Sequence, residues 1–97
     1  MDSAWDRLLD LVDRLATDPT LTIGAENEAE MVPLISAAME VHDIDSELDV
    51  PDVARWLVGL VHAHRAVREA HPEVDPEDDL SDLRVIVTRW LHRARPR

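Results

Sequence analysis

Apolar residues recur four separate times along this chain with the 3.6-residue period of an α-helix, and prolines stand between the runs at Pro19, Pro51, Pro72 and Pro76. That pattern leaves little freedom of fold. A half-buried strand needs alternation carried by β-branched and aromatic residues. Here there is no Phe or Tyr, only two Gly, and no sustained alternation. The expectation is all-α: a compact antiparallel bundle of four amphipathic helices, with room for a short extra helical turn in a connector. The 97 residues form a single domain, 1–97, long enough to bury a core without disulfide or metal staples.

The first helix is predicted from Ser3 to Thr17, with Asp2 or Ser3 as its N-cap. Ala4, Trp5, Leu8, Leu11, Val12 and Leu15 form its apolar stripe, and Asp18-Pro19 ends it because the residue before proline resists the α region. Glu28 to His42 is the second. Met31, Leu34, Ile35, Ala38 and Met39 make its apolar face, with His42 on the same side, and Pro33 is expected near its first turn. A third helix is predicted from Asp52 to Ala70, with Val53, Trp56, Leu57, Leu60, His64 and Val67 sharing a face. The fourth begins at Asp75 as N-cap with Pro76 in its first position, and runs to Arg93 over Leu80, Leu83, Val87, Trp90, Leu91 and Ala94.

Charge narrows the classes of partner. The chain has 21 acids, no lysine and ten arginines, for a net charge of −11. Arg84, Arg89, Arg93, Arg95 and Arg97 all fall in the last 14 residues, where there is no acid. The first 83 residues are left with five arginines against 21 acids, a net −16. Such a body repels nucleic-acid backbones and anionic membranes, so no direct nucleic-acid binding and no membrane association are expected. No basic region followed by an apolar run opens the sequence, and no apolar stretch approaches the ~20 residues of a membrane span. A cytoplasmic location is the default expectation.

Catalytic and metal-binding constellations fall short. His62 and His64 are two residues apart on a helix, which sets them about 200° apart. No Glu-x-x-His or His-Glu-x-x-His pair is present. His64 and His42 read as core or boundary residues. The connector from Asp43 to Asp49 has carboxylates at alternating positions, as a calcium loop does, but Leu48 and Ala54 stand where glycine and glutamate are required. Helix capping by Ser46, with Asp49 three residues on, accounts for it better. With no cysteine, no Gly-x-Ser-x-Gly and no glycine-rich phosphate loop, no catalytic residue, metal ligand or cofactor is assigned, and the chain is read as a non-enzyme.

The stretch Val74-Asp75-Pro76-Glu77-Asp78-Asp79-Leu80-Ser81-Asp82-Leu83, followed by an apolar helix, resembles the last third of an acyl carrier protein, a family of small, acidic, four-helical proteins. The resemblance implies a serine at the start of the second helix, within Asp-Ser-Leu, carrying a phosphopantetheine arm. The nearest match is Asp45-Ser46-Glu47-Leu48, which has Glu47 inserted and a proline soon after. Modification at Ser46 is therefore one alternative function. Another is an acidic inhibitor of a nucleic-acid-binding protein, suggested by the Asp6, Asp10, Asp13 stripe, although Arg7 and Arg14 flank it.

The principal expectation is a non-enzymatic protein–protein interaction module: an adaptor, an inhibitor or immunity-like partner, or an assembly domain, with a protein partner that includes the case of a homo-oligomer. Its candidate contact residues are the three tryptophans, Trp5, Trp56 and Trp90, since an exposed tryptophan is a common binding anchor. Val58 and Val85 join them as apolar residues on otherwise polar helix faces, where they would form a second patch if close together. The basic residues Arg89, Arg93, Arg95 and Arg97 complete the set as a segment able to dock on an acidic surface.

Overall fold

Ser3 opens the first helix, α1 (Ala4–Thr17), through a reciprocal cap: its hydroxyl accepts from the Asp6 N–H at 3.1 Å, and the Asp6 carboxylate accepts from the Ser3 N–H. In the computed structural model, which describes residues 2–92, three further helices follow: α2 (Ala25–Glu40), α3 (Val50–Ala70) and α4 (Pro76–Leu91). Asp49 caps α3 by accepting from the Asp52 N–H at 3.1 Å, and Asp75 caps α4 by accepting from the Glu77 N–H at 2.9 Å. No strand occurs among the described residues, and the four helices build the expected bundle. No described helix is long and apolar enough to cross a membrane.

α1 and α3 form the middle of the bundle. Each packs against the other three helices, whereas the backbones of α2 and α4 do not come close to one another. Leu8, Val12, Met31, Ile35, Leu57, Val61, Val87 and Leu91 are essentially inaccessible and make the centre of the core. α4 runs opposite to α1 and α3: Trp5 meets His92, Asp13 meets Arg84, and Arg68 meets Asp79. The connector between α2 and α3 is stitched to the end of α4. Ile44 is buried, the Asp45 N–H donates to the Leu91 carbonyl at 2.8 Å, and the His92 ring nitrogen lies 2.6 Å from the Asp43 carbonyl.

Several expectations are corrected. α2 starts three residues earlier than Glu28, with Gly24 at its N-cap and the Asn27 side chain reaching back to the Gly24 N–H at 2.8 Å. Pro33 consequently sits inside the helix, on its exposed side. His42 is not on the core face. It is exposed, has φ of 66°, and ends α2: its N–H bonds to Met39 and the next N–H, of Asp43, reaches back to Ala38 at 2.9 Å. That pair of bonds is a Schellman ending with histidine where glycine is usual. Ser46 caps nothing. It is exposed in the connector, and the cap of α3 is Asp49. Trp56 and Val67 leave the core face of α3, which is formed by Val53, Ala54, Leu57, Val58, Val61 and His64. The predicted last turn of the fourth helix, to Arg93 and Ala94, lies outside the described residues.

Candidate protein-docking face

α3 is apolar over too much of its circumference for one interface. The arc through Val53, Leu57, Val61 and His64 turns inward, and a second arc through Trp56, Leu60, Ala63 and Val67 follows beside it at helical spacing. α4 repeats the arrangement. Leu80, Leu83, Val87 and Leu91 are buried, while Ile86 and Trp90 stand to one side. Because α3 and α4 are antiparallel neighbours, these two side arcs meet. Trp56, Leu60, Ile86 and Trp90 line an open, apolar groove of about 360 Å³. A second hollow of about 250 Å³ continues from it past Leu60 and Ile86 to Val67 and Asp82.

The groove is open to solvent where apolar side chains should be covered. Trp56 is 60% exposed, Ile86 52%, Val67 45% and Val85 43%. Single exposed apolar residues are ordinary, but a contiguous set along two helices is not. Covering a half-exposed Trp or Ile from water is favourable by roughly 1–2 kcal/mol each. The rim is charged unequally. Asp79 and Asp82 border the Val67 end, whereas Arg55 follows on from the wall at Trp56 and Arg89 at Trp90. Arg55 also meets Asp52 at 3.4 Å, an exposed pair, and Asp79 is engaged by Arg68.

The candidate contact residues separate as follows. Trp56 and Trp90 come together in the groove, and Val85 and Arg89 are exposed on the adjoining surface of α4. Val58 is corrected: it is 6% exposed and belongs to the core, so it forms no surface patch with Val85. Trp5 lies apart, half-buried at the start of α1 and stacked on His92 with ring centroids 4.5 Å apart. Arg93, Arg95 and Arg97 lie outside the described residues. Leu60 and Ile86 were not among the candidates. The available signal was the width of the apolar arc on α3, where seven of nine residues from Val53 to Val61 are apolar.

Two further arginines, Arg65 and Arg68, are absorbed by structure. Arg65 donates to the carbonyls of Leu15 at 2.7 Å, Asp18 at 2.9 Å and Leu21 at 3.1 Å, closing the C-terminal end of α1 from fifty residues away. Arg68 holds the turn into α4 by donating to the Val74 carbonyl at 2.9 Å and to Asp79 at 2.6 Å. Beside them lies His64, buried, with neither ring nitrogen hydrogen-bonded. Desolvation lowers its pKa and outweighs the opposing pull of Asp79; Arg68 and Arg65 add to the lowering. Arg84 reaches from α4 to Asp13 of α1, with Nε 3.1 Å from the carboxylate, and its pKa is raised by that contact. One member of the acidic α1 stripe is thereby neutralised.

No group of three or more metal-ligating side chains is found among the described residues. Comparison with known proteins gives no matching family model, no matching curated protein and no matching solved structure.

Proposed function

We propose that the protein is a non-enzymatic protein–protein interaction module of the assembly type, which docks through the apolar face shared by α3 and α4. The observation that carries this reading is the exposure of Trp56 beside Ile86, Leu60 and Trp90. In a chain with three tryptophans and no Phe or Tyr, one of the three is left largely in water, in an open apolar groove. Tryptophan in such a setting is the residue type that dominates binding energy at interfaces. The carrier-protein alternative draws less support, since Ser46 lies four residues ahead of α3 and Asp49 holds the cap position.

Trp56→Ser combined with Ile86→Ser tests the reading. The double variant removes the groove's anchors without touching the core, so its circular dichroism is expected to match the wild type. Affinity capture from the native lysate and size measurement of the purified chain are expected to show association lost. Association of every kind unchanged in the folded variant refutes the assignment of this face.

A further inference from the structure

The surface of α4 that adjoins the groove is self-complementary. Asp82 and Arg89 are seven residues apart, two helical turns, so they lie within about 20° of the same line along the helix and roughly 10 Å apart. Both are exposed, and neither takes part in an ion pair among the described residues. Val85 and Ile86 straddle the line between them, about 50° to either side, and are likewise exposed. The order along the helix is therefore acid, apolar pair, base. A line of that kind is its own complement when turned end for end.

We propose that the occupant of this face is a second copy of the chain, docked α4 against α4 in antiparallel register about a two-fold axis midway between positions 85 and 86. The inference rests on reading the α3–α4 face as a docking site and names its partner. Around that axis Asp82 faces the partner's Arg89 and Arg89 faces the partner's Asp82, while Val85 and Ile86, on opposite sides of the line, each meet their own counterpart within about one residue's rise. Both ion pairs form at once, which is the requirement of an isologous interface. Ile86, at the centre of this contact, also lines the groove beside Trp56 and Trp90, so the contact is continuous with the groove. A partner of uniform basic charge fits the face less well, because Arg89 and Arg55 stand at one end of it. The −11 charge on each copy opposes association at long range, but a Debye length of about 8 Å at physiological salt screens most of that while sparing charges in contact.

Charge-swap variants provide the test, read by light scattering or sedimentation at physiological salt. The wild-type chain is expected to show a concentration-dependent species at twice its 11.0 kDa mass. Asp82→Arg alone sets arginine against the partner's Arg89, and Arg89→Asp alone sets aspartate against the partner's Asp82. Each is expected to weaken dimerisation about tenfold or more. An equimolar mixture of the two single variants is expected to recover it, because in the mixed pair both contacts are again arginine with aspartate. The chain has no cysteine, so Val85→Cys is expected to cross-link through its new thiol under mild oxidation, whereas a cysteine at Glu30, on the exposed side of α2, is not. A wild type that stays monomeric at high concentration overturns the second copy as occupant; so does a dimer indifferent to both single charge reversals. If the monomeric chain still captures another protein through Trp56 and Ile86, the docking face stands with a different partner. If the Trp56→Ser, Ile86→Ser variant changes nothing in either assay, the face itself falls.

Discussion

Two side chains, Arg65 and His64, show how differently a polar group can be placed in one helix. Arg65 is fully used: its guanidinium donates to the carbonyls of Leu15, Asp18 and Leu21, at the end of α1 and in the loop that follows. Arg65→Met is expected to cost about 2–3 kcal/mol in urea unfolding, the range for losing hydrogen bonds to a charged donor while leaving the acceptors half-buried. Lysine at 65 is expected to restore less than half, having no planar fork to span the carbonyls. An unchanged urea midpoint for the methionine variant removes Arg65 as the closure of α1. His64 is the reverse case, since burial strips both ring nitrogens of water and the fold supplies nothing in exchange. Its pKa lies below the ordinary 6.5 in the folded chain, so the unfolded chain takes up a proton first as pH falls. Stability is therefore expected to decline as pH drops below about 6.5, until the folded-state pKa is passed. His64→Leu removes both the unpaired nitrogens and the proton uptake. The variant is expected to match or exceed wild-type stability at pH 7.5, and its advantage is expected to grow at pH 5.5. Parallel stability curves for the two proteins across that interval contradict this account of His64.

Helices record their ends in sequence more faithfully than their orientation. The cap of α4 is readable in the sequence and that of α1 is readable to within one residue, Asp2 or Ser3, because such caps are short-range signals that need no knowledge of the rest of the fold. The start of α2 is not. Ala25 to Glu30 is polar around most of its circumference, and Gly24 has no side chain with which to announce a cap. The phase of α3 is ambiguous in the sequence for a different reason. Trp56, Leu60 and Val67 form as good an apolar stripe as Val58 and Val61, and only the positions of α1 and α2 decide which turns inward. The same ambiguity hid the groove: Trp56 and Trp90 were candidates from residue type alone, but pairing Leu60 with Ile86 requires knowing that α3 and α4 are neighbours. Two backbone positions carry predictions at this scale. Gly59 lies on the exposed side of α3, with no atom within 4 Å of where a Cβ would stand. Gly59→Ala is expected to stabilise by about 0.5–1 kcal/mol, the difference in helix propensity. His42 holds a left-handed conformation that costs a non-glycine residue about 1 kcal/mol, so His42→Gly is expected to raise the melting temperature. A lowered value for either variant contradicts the backbone cost assigned to that position.

At the scale of the whole molecule the dominant fact is unbalanced charge. Ion pairs between arginine and aspartate engage Asp13, Asp52 and Asp79 among the described residues, a small share of the 21 acids. Self-repulsion among the remainder is screened by added salt, so the melting temperature is expected to rise from low to moderate sodium chloride. A flat or falling response means that local pairing already balances the field. Charge also bears on where the chain yields first. α4 is an outer helix whose backbone does not come close to that of α2, held by α3, by Arg84 on Asp13, and by the stitch between Leu91 and Asp45. That stitch places one amide of a connector under the control of a distant helix. The Asp45 N–H exchanges with deuterium only when the connector and the last turn of α4 separate, so it is expected to exchange more slowly than a solvent-facing loop amide. One slow amide in an otherwise fast segment then works as a built-in clock for that separation, and any ligand that clamps the two together will be seen to slow it.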